Sequence, residues 1–355
     1  MATIRDIAVR VNVSAATVSR VLNHDDTLSA SPVTKEKIFE TAKELNYQTL
    51  KSRRKQSMIQ LKEAANKERI KLGMILLQSK EEEANDPYWL SIREGIEKEC
   101  STRGIDSLKL IRLQNLPAWQ KEFCELDGLI IIGRMDFHIL KSINQYNSNI
   151  VLINQDSHDD QYDSIIFDYE KAASLAMDHL IEAGYSRIGY LGGKEKISIE
   201  DIQVIKKNYS LDARKSIYES KMKQRKLYDE NLMFIKEYSI QSGYDLMKQA
   251  IAKGDLPEAF FIGSDSMAIG ALRALQESKI RIPEDVAIVS FNDIEMANFT
   301  SPPLTTVKIP TEDMGRLSVK LMIDRLEGRT IPVKVMVPSK LVIRESCGSL
   351  KAQMC

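Results

Sequence analysis

The side chain with the clearest chemistry near the start of the chain is Arg20, in the run SAATVSRVLN. Its planar fork of N–H donors matches the O6/N7 edge of guanine in a DNA major groove, a contact worth roughly 1–3 kcal/mol of base discrimination. Ala15, Ala16 and Ser19 share its outward face at helical spacing. Two alanines let a helix approach closely and can touch thymine methyl groups. A solvated arginine on a plain helical hairpin gives the same pattern, and the hairpin alone leaves the two readings even. A second group is Leu50, Lys51, Ser52, Arg53, Arg54 and Lys55. Its cations suit phosphate contacts, which give affinity and salt dependence without sequence information. Leu50, Met58 or Ile59 could wedge between base steps, and a solvated linker is the plainer alternative.

Other chemistry finds little support. The chain has no Gly-x-Gly-x-x-Gly after a strand, no P-loop and no nucleophile elbow. YLGGKEK carries two glycines but lacks the third. Cys100, Cys124, Cys347 and Cys355 are far apart with no Cys-x-x-Cys, and the four histidines are scattered. No disulfide framework, metal site or cofactor is expected.

The elements that must position Arg20 are two short helices. Ile4, Ile7, Ala8 and Val11 are spaced for one, with Thr3 as N-cap and Asp6 as a shortened capping-box carboxylate. Asn12 tolerates left-handed backbone and can end it in a tight turn. Ser14 can cap a second helix, Ala15 to Leu22, with Val18, Val21 and Leu22 inward. This is a helix-turn-helix, whose second helix can enter the major groove. Ser31-Pro32 opens a third helix with a stripe of Ile38, Ala42 and Leu45, Phe39 at one edge, and Tyr47 beneath.

Charge agrees. Residues 1–71 hold 14 Lys+Arg against 8 Asp+Glu, so a basic head precedes an acidic body in a chain with net charge zero. The length of 355 residues requires two or three domains. No apolar run reaches membrane-spanning length and no signal-peptide core opens the chain, so a cytoplasmic protein is expected.

The wording ATIRDIA…VSAATVSRVLN resembles the DNA-binding head of the lactose–galactose repressor family. VS-x-x-TVSRV-x-N at an N-terminus is highly specific to that family. The resemblance runs through nearly the whole chain and is closest to the galactose-repressor branch. It implies a DNA-facing set of Thr3, Ser14, Ala15, Ala16, Thr17, Ser19, Arg20 and Asn23 in the head, with Leu50, Arg53, Arg54 and Lys55 after it. In the family the linker becomes a hinge helix on DNA, entered through Pro-Asn. Here Thr49-Leu50 stands in that place.

From Lys71 onward, short β-branched runs alternate with helical segments. The runs are residues 72–77, 128–133, 150–154, 164–168, 187–193, 259–264 and 286–292. Helices are expected at Trp89–Arg103, Glu170–Ala183, Gln241–Ala252 and Ser266–Lys279. This is an α/β body with parallel sheets, and such folds bind ligands at the carboxyl ends of their strands. The body resembles the two-subdomain periplasmic sugar-binding fold. Chain crossings are expected near Ala172, Pro302–Pro303 and Gly328–Thr330. That divides the chain into a head (1–47), a basic hinge (48–70), subdomains 71–171 + 304–328 and 172–303 + 329–345, and a tail (346–355).

Strand ends and the resemblance together give the effector-facing candidates: Tyr88, Trp89, Arg134, Asn154, Asp168, Arg214, Asp265 and Asn292. Asn85 or Asp86 is read only as a helix cap. Aromatic faces suit the apolar face of a sugar ring, and an arginine fork suits vicinal hydroxyls. Several candidates have structural alternatives: Trp89 as core, Asp168 and Asp265 as caps, Arg214 as a solvated helix arginine. Asn292 replaces the family's usual aspartate. The expectation is a homodimeric repressor of sugar-utilisation genes, bound to operator DNA and released by a small sugar, with galactose or a galactoside as the guess. A tail without leucine heptads favours dimer over tetramer. A cytoplasmic solute-binding protein and an α/β sugar-modifying enzyme are the alternatives.

Overall fold

The computed structural model describes residues 3–22, 31–45, 47, 70–112, 120–157, 160–194 and 212–348, apart from the side chains of Lys43 and Gln120. The chain divides into two units, Met1–Arg69 and Ile70–Cys355.

The first unit contains α1 (Ile4–Val11), α2 (Ala15–Leu22) and α3 (Pro32–Glu44). Its core is Ile7, Ala8, Val18, Val21, Ile38 and Ala42, with Leu22, Leu45 and Tyr47 packed around it. Asn12 ends α1 at φ 57°, the left-handed geometry that turns the chain toward α2.

The second unit is built on two six-stranded sheets. β1 (Lys71–Leu76), β2 (Ser107–Arg112), β3 (Gly128–Ile132), β4 (Ile150–Ile153), β5 (Asp163–Phe167) and β11 (Lys334–Val337) form the first, in the order β11-β5-β4-β3-β1-β2. β6 (Ile188–Lys194), β7 (Met233–Glu237), β8 (Ala259–Ile262), β9 (Ala287–Asn292), β10 (Thr305–Lys308) and β12 (Lys340–Val342) form the second, in the order β12-β10-β9-β8-β6-β7. The pairing is parallel except between β10 and β12. Every residue of β3, β4 and β8 is buried. Their continuous apolar runs follow from helices covering both faces.

The helices are α4 (Lys80–Asn85), α5 (Pro87–Thr102), α6 (Gln120–Cys124), α7 (Phe137–Asn144), α8 (Tyr169–Glu182), α9 (Ala213–Gln224), α10 (Ile240–Ala252), α11 (Asp265–Glu277) and α12 (Thr311–Leu326). Two helix pairs cross at glycines. A Cβ on Gly95 of α5 would lie 2.2 Å from the Glu312 carbonyl oxygen of α12, and one on Gly315 would lie 2.1 Å from the Ile92 carbonyl oxygen. The same device joins α10 and α11, where a Cβ on Gly243 would lie 2.0 Å from the Met267 carbonyl oxygen. No described helix is long and apolar enough to cross a membrane.

Two of the three crossings between the sheets differ from the expected ones. The first lies between β5 and α8, a few residues before Ala172. The second follows β10, because Thr305–Lys308 pairs with β9 and stays in the second sheet; the prolines at 302–303 only turn the chain into that strand. The third follows β11. Gly328 (φ 114°) ends α12, but the chain beyond it remains in the first subdomain. Fully buried Asp163 of β5 holds it there, accepting from Arg329 Nη1 and Nη2 at 2.9 and 2.8 Å, Arg325 Nε at 3.1 Å and the Val333 N–H at 2.7 Å. The expected tail also starts too early. Ser346 and Cys347 are buried, and Ser346 Oγ accepts from the Thr305 N–H and donates to the Ile288 carbonyl.

Candidate DNA-binding head and effector cleft

In the head, the Thr3 hydroxyl and N–H both donate to Asp6 Oδ2, at 2.8 and 2.7 Å, closing the capping box. The Asp6 carboxyl is held below its usual range, chiefly by the Thr3 N–H. Ser14 caps α2, taking the Thr17 N–H at 3.1 Å, and its hydroxyl pairs with that of Thr17 at 2.8 Å. Thr3, Ser14 and Thr17 therefore set helix geometry. Ala16 and Arg20 are exposed on α2, with Ala15 and Ser19 half-buried beside them. Asn23, Leu50, Arg53, Arg54 and Lys55 lie outside the described residues.

In the second unit the candidates gather at the carboxyl ends of the two sheets. Arg214 is the second residue of α9 and is 8% exposed. Its Nε and Nη2 donate to the two oxygens of Asp212, at 2.8 and 2.9 Å, and Nη1 donates to the Gly263 carbonyl at 2.7 Å. The guanidinium lies 4.5 Å from the Tyr238 ring centroid and 5.4 Å from that of Phe291. Tyr238 donates its hydroxyl to Asp212 as well. Burial works against ionisation of Asp212, but the Arg214 charge and the bonds from Arg214 and Tyr238 hold its carboxyl low. The glycines of YLGG make room for this arrangement: a Cβ on Gly193 would lie 2.3 Å from the Tyr238 ring.

Across from this arginine stands the start of α5. Tyr88 is 7% exposed, its ring meets that of Trp89 edge-on at 5.0 Å, and its hydroxyl accepts from Asn154 Nδ2 at 2.7 Å. Trp89 is half-buried against the core. Asn154 ends β4 in left-handed geometry (φ 66°), and its Oδ1 is buried with no hydrogen-bond partner among the described residues. Asp86 caps α5, accepting the Tyr88 N–H at 3.2 Å. Burial pushes its carboxyl up, opposed by the Tyr88 N–H, the charge of Arg214 and the nearby Ser266 hydroxyl. Asp86 and Arg214 thus belong to opposite subdomains and share one field. Sequence reasoning saw only a helix cap in Asp86. The Asp-Pro-Tyr start of the helix after β1 was the available signal, since such a helix begins at the ligand-binding rim.

The remaining candidates divide. The Arg134 guanidinium lies 5.1 Å from the Tyr169 ring centroid, and that ring packs against Phe167, tilted by 35° with centroids 3.9 Å apart. Phe167 in turn lies 6.3 Å from Phe291, which links the two sheets. Asn292 is 7% exposed at the end of β9, at φ 115° and followed by Asp293 at φ 56°. Two successive left-handed non-glycine residues mark a strained turn at this rim. Asp168 serves α8 as N-cap, accepting the Lys171 N–H at 2.9 Å. Asp265 is likewise committed to structure. It is fully buried and accepts from the Ser290 hydroxyl, from the Thr306 hydroxyl at 2.7 Å and from the Ile294 N–H at 2.9 Å. The cap of α11 is Ser264. Asp265 is thus a clamp between α11 and β9–β10 rather than a group facing the cleft. Among the described residues no cluster of three or more His, Cys, Asp or Glu is placed to hold a metal ion.

A helix-turn-helix head followed by a two-subdomain parallel α/β body, with polar groups at the facing strand ends, is the build of a DNA-binding regulator with an effector domain. Residues 3–49 match the family described as bacterial regulatory proteins, lacI family, and residues 177–347 match the periplasmic binding protein-like domain. The chain belongs to the lacI family. It is 46% identical to the HTH-type transcriptional repressor MelR of Bacillus subtilis (strain 168), over 98% of each chain. It is 35% identical to the HTH-type transcriptional regulator GalR of Lacticaseibacillus casei, over 98% of this chain and 99% of that one. Among solved structures, the complex of the transcriptional regulator CelR with cellobiose matches with a TM-score of 0.64 and 25% identity. That match covers 98% of this chain and 100% of that one.

Proposed function

We propose that the protein is a cytoplasmic, sequence-specific repressor of sugar-utilisation genes, released from its operator by a small sugar, with galactose or a galactoside as the leading candidate. The observation that carries this is the facing pair of surfaces in the second unit. Arg214, held by Asp212 and stacked between Tyr238 and Phe291, faces Asp86, Tyr88 and Asn154. Aromatic faces and a convergent set of polar groups suit a pyranose. Relatives named as transcriptional repressors and regulators, and a similar regulator solved with cellobiose, support the reading.

In the head, Arg20 and Ser19 read base edges, while Ala15 and Ala16 allow the approach and Thr3, Ser14 and Thr17 fix the helices. Asn23 and the linker cations Arg53, Arg54 and Lys55 contact phosphates, and Leu50 is a candidate minor-groove wedge. In the cleft, Tyr88, Trp89, Arg134, Asn154, Arg214 and Asn292 contact the sugar. A homodimer places two such helices on the half-sites of a near-palindromic operator. Sugar binding lowers operator affinity because it favours one relation of the subdomains over another.

The test is isothermal titration against a sugar panel, paired with a gel-shift series on operator DNA at fixed salt. Saturable binding of one sugar, with release of DNA by that sugar, is the expected outcome. Unchanged or tighter operator binding with every sugar would refute induction.

A further inference from the structure

We propose that the cleft accepts its effector only in uncharged form, so that a neutral sugar binds and its phosphate ester is refused, with Asp86 as the discriminating residue. This rests on the sugar-sensor reading above and narrows it to a chemical class.

The argument starts from which buried groups lack a partner. On the first subdomain, Asn154 spends its Nδ2 on the Tyr88 hydroxyl, and its Oδ1 is left buried without a donor among the described residues. Asp86, 8% exposed, accepts the Tyr88 N–H and has the Ser266 hydroxyl beside it, which leaves carboxylate lone pairs for a further donor. Both groups are acceptors and are satisfied by ligand O–H donors. A sugar hydroxyl donates; a phosphate dianion only accepts. On the second subdomain, Ser266 is 1% exposed and its hydroxyl has no hydrogen bond of good geometry. A hydroxyl can donate to or accept from a sugar.

Charge points the same way. Arg214 is matched by Asp212, which takes two of its N–H groups. The pair therefore enters the cleft as a neutral unit, and Asp86 adds a carboxylate beside it. Lys308 and Arg344 are both spent on Asp293. Among the described residues Arg134 is a cation that argues the other way; it sits over Tyr169, on the Phe167 side of the cleft. Burial pushes the Asp86 carboxyl up, and it is the ionised form that meets a phosphate as a like charge in a partly desolvated site, which corresponds to about 100-fold weaker binding at an effective dielectric constant near 20.

The experiment uses the full chain. Neutral hexoses and galactosides are titrated beside their own phosphate esters, galactose with galactose 1-phosphate and galactose 6-phosphate first. The same titrations are run on Asp86→Asn and Arg134→Gln. Asparagine caps helices about as well as aspartate, so Asp86→Asn keeps the start of α5. Asp86→Ser is a second cap-preserving variant, and the thermal midpoint of each reports folding. The expected result is a neutral sugar that binds saturably, esters about 100-fold weaker, and a gap that narrows about tenfold in Asp86→Asn. An ester binding as tightly as its parent overturns the proposal and leaves the sensor reading standing, the more so if Arg134→Gln abolishes that binding. An unchanged gap in both Asp86 variants removes Asp86 from the role. Failure of every sugar, charged or neutral, to bind or to release DNA overturns the sensor reading and this proposal together.

Discussion

Replacing Asp212 with asparagine leaves Arg214 buried beside a neutral partner. Both side chains are only about a tenth exposed, and the pair is joined by Nε and Nη2 bonds of 2.8 and 2.9 Å. Breaking a buried pair from one side costs about 3–5 kcal/mol, because the remaining charge stays out of water. Asparagine keeps one acceptor oxygen, so the lower end, about 3 kcal/mol, is expected. Arg214→Met leaves the Asp212 carboxylate uncompensated and should cost at least as much. The double variant removes both charges. It should therefore cost about 2 kcal/mol or more less than the sum of the singles, as coupled neighbours do. Urea unfolding followed by tryptophan fluorescence gives the three free energies. A single-variant cost below about 1 kcal/mol, or additive singles, would show that the pair is already solvated and the reasoning wrong. The result also bears on effector binding: sugar affinity lost in an Arg214 variant counts as a lost contact only where the variant remains folded.

Arg20→Ala should weaken operator binding by about 1–3 kcal/mol per half-site and relax preference at one base pair in each. A binding-site selection experiment reads this, and sugar affinity should not change. The double change Arg53→Gln with Arg54→Gln removes four cations from the homodimer, so it should weaken binding to all sequences alike and reduce the slope of log affinity against log salt by about 4. Gly95→Ala pushes a methyl onto the Glu312 carbonyl oxygen, 2.2 Å from an ideal Cβ. Overpacking of this kind should lower stability by about 1–3 kcal/mol in thermal melts. Burial pushes the Asp265 carboxyl up from 3.8 to about 7, against the hydrogen bonds from Ser290, Thr306 and the Ile294 N–H. The native state then holds this proton more tightly than the unfolded state does. Its contribution is complete below about pH 4 and is lost as pH rises through about 7. The gap in melting temperature between the wild type and Asp265→Asn should therefore narrow from pH 5 to pH 8.

The head was legible because its determinants are local. A capping box spans four residues, a left-handed turn needs one tolerant residue at Asn12, and the inward stripes of α1 and α2 follow the helical period. The buried strands were legible for a related reason. Covered on both faces, β3 and β4 must be apolar throughout, so composition alone marks them. The edge strands β2 and β7 escaped notice because exposure on one side leaves polar residues in SLKLIR and MFIKE.

What the sequence by itself determined about this protein is the kind of molecule: a helix-turn-helix head, a parallel α/β body and the chain segments that reach its ligand-binding rim. Tertiary structure alone decided what each polar residue at that rim does. Asp86 and Asp265 are both carboxylates at helix starts, and their different surroundings come from distant residues. Asp265 is surrounded by donors from β9 and β10, some 25 to 41 residues away, and becomes a structural clamp. Asp86 is left with one local bond, the Ser266 hydroxyl and the field of an arginine 128 positions further along the chain. The same distance in sequence hid the true crossings, since Asp163 captures Arg329 from 166 residues away. Burial and charge compensation are properties of neighbours in space, and for these residues the neighbours are brought together only by the fold.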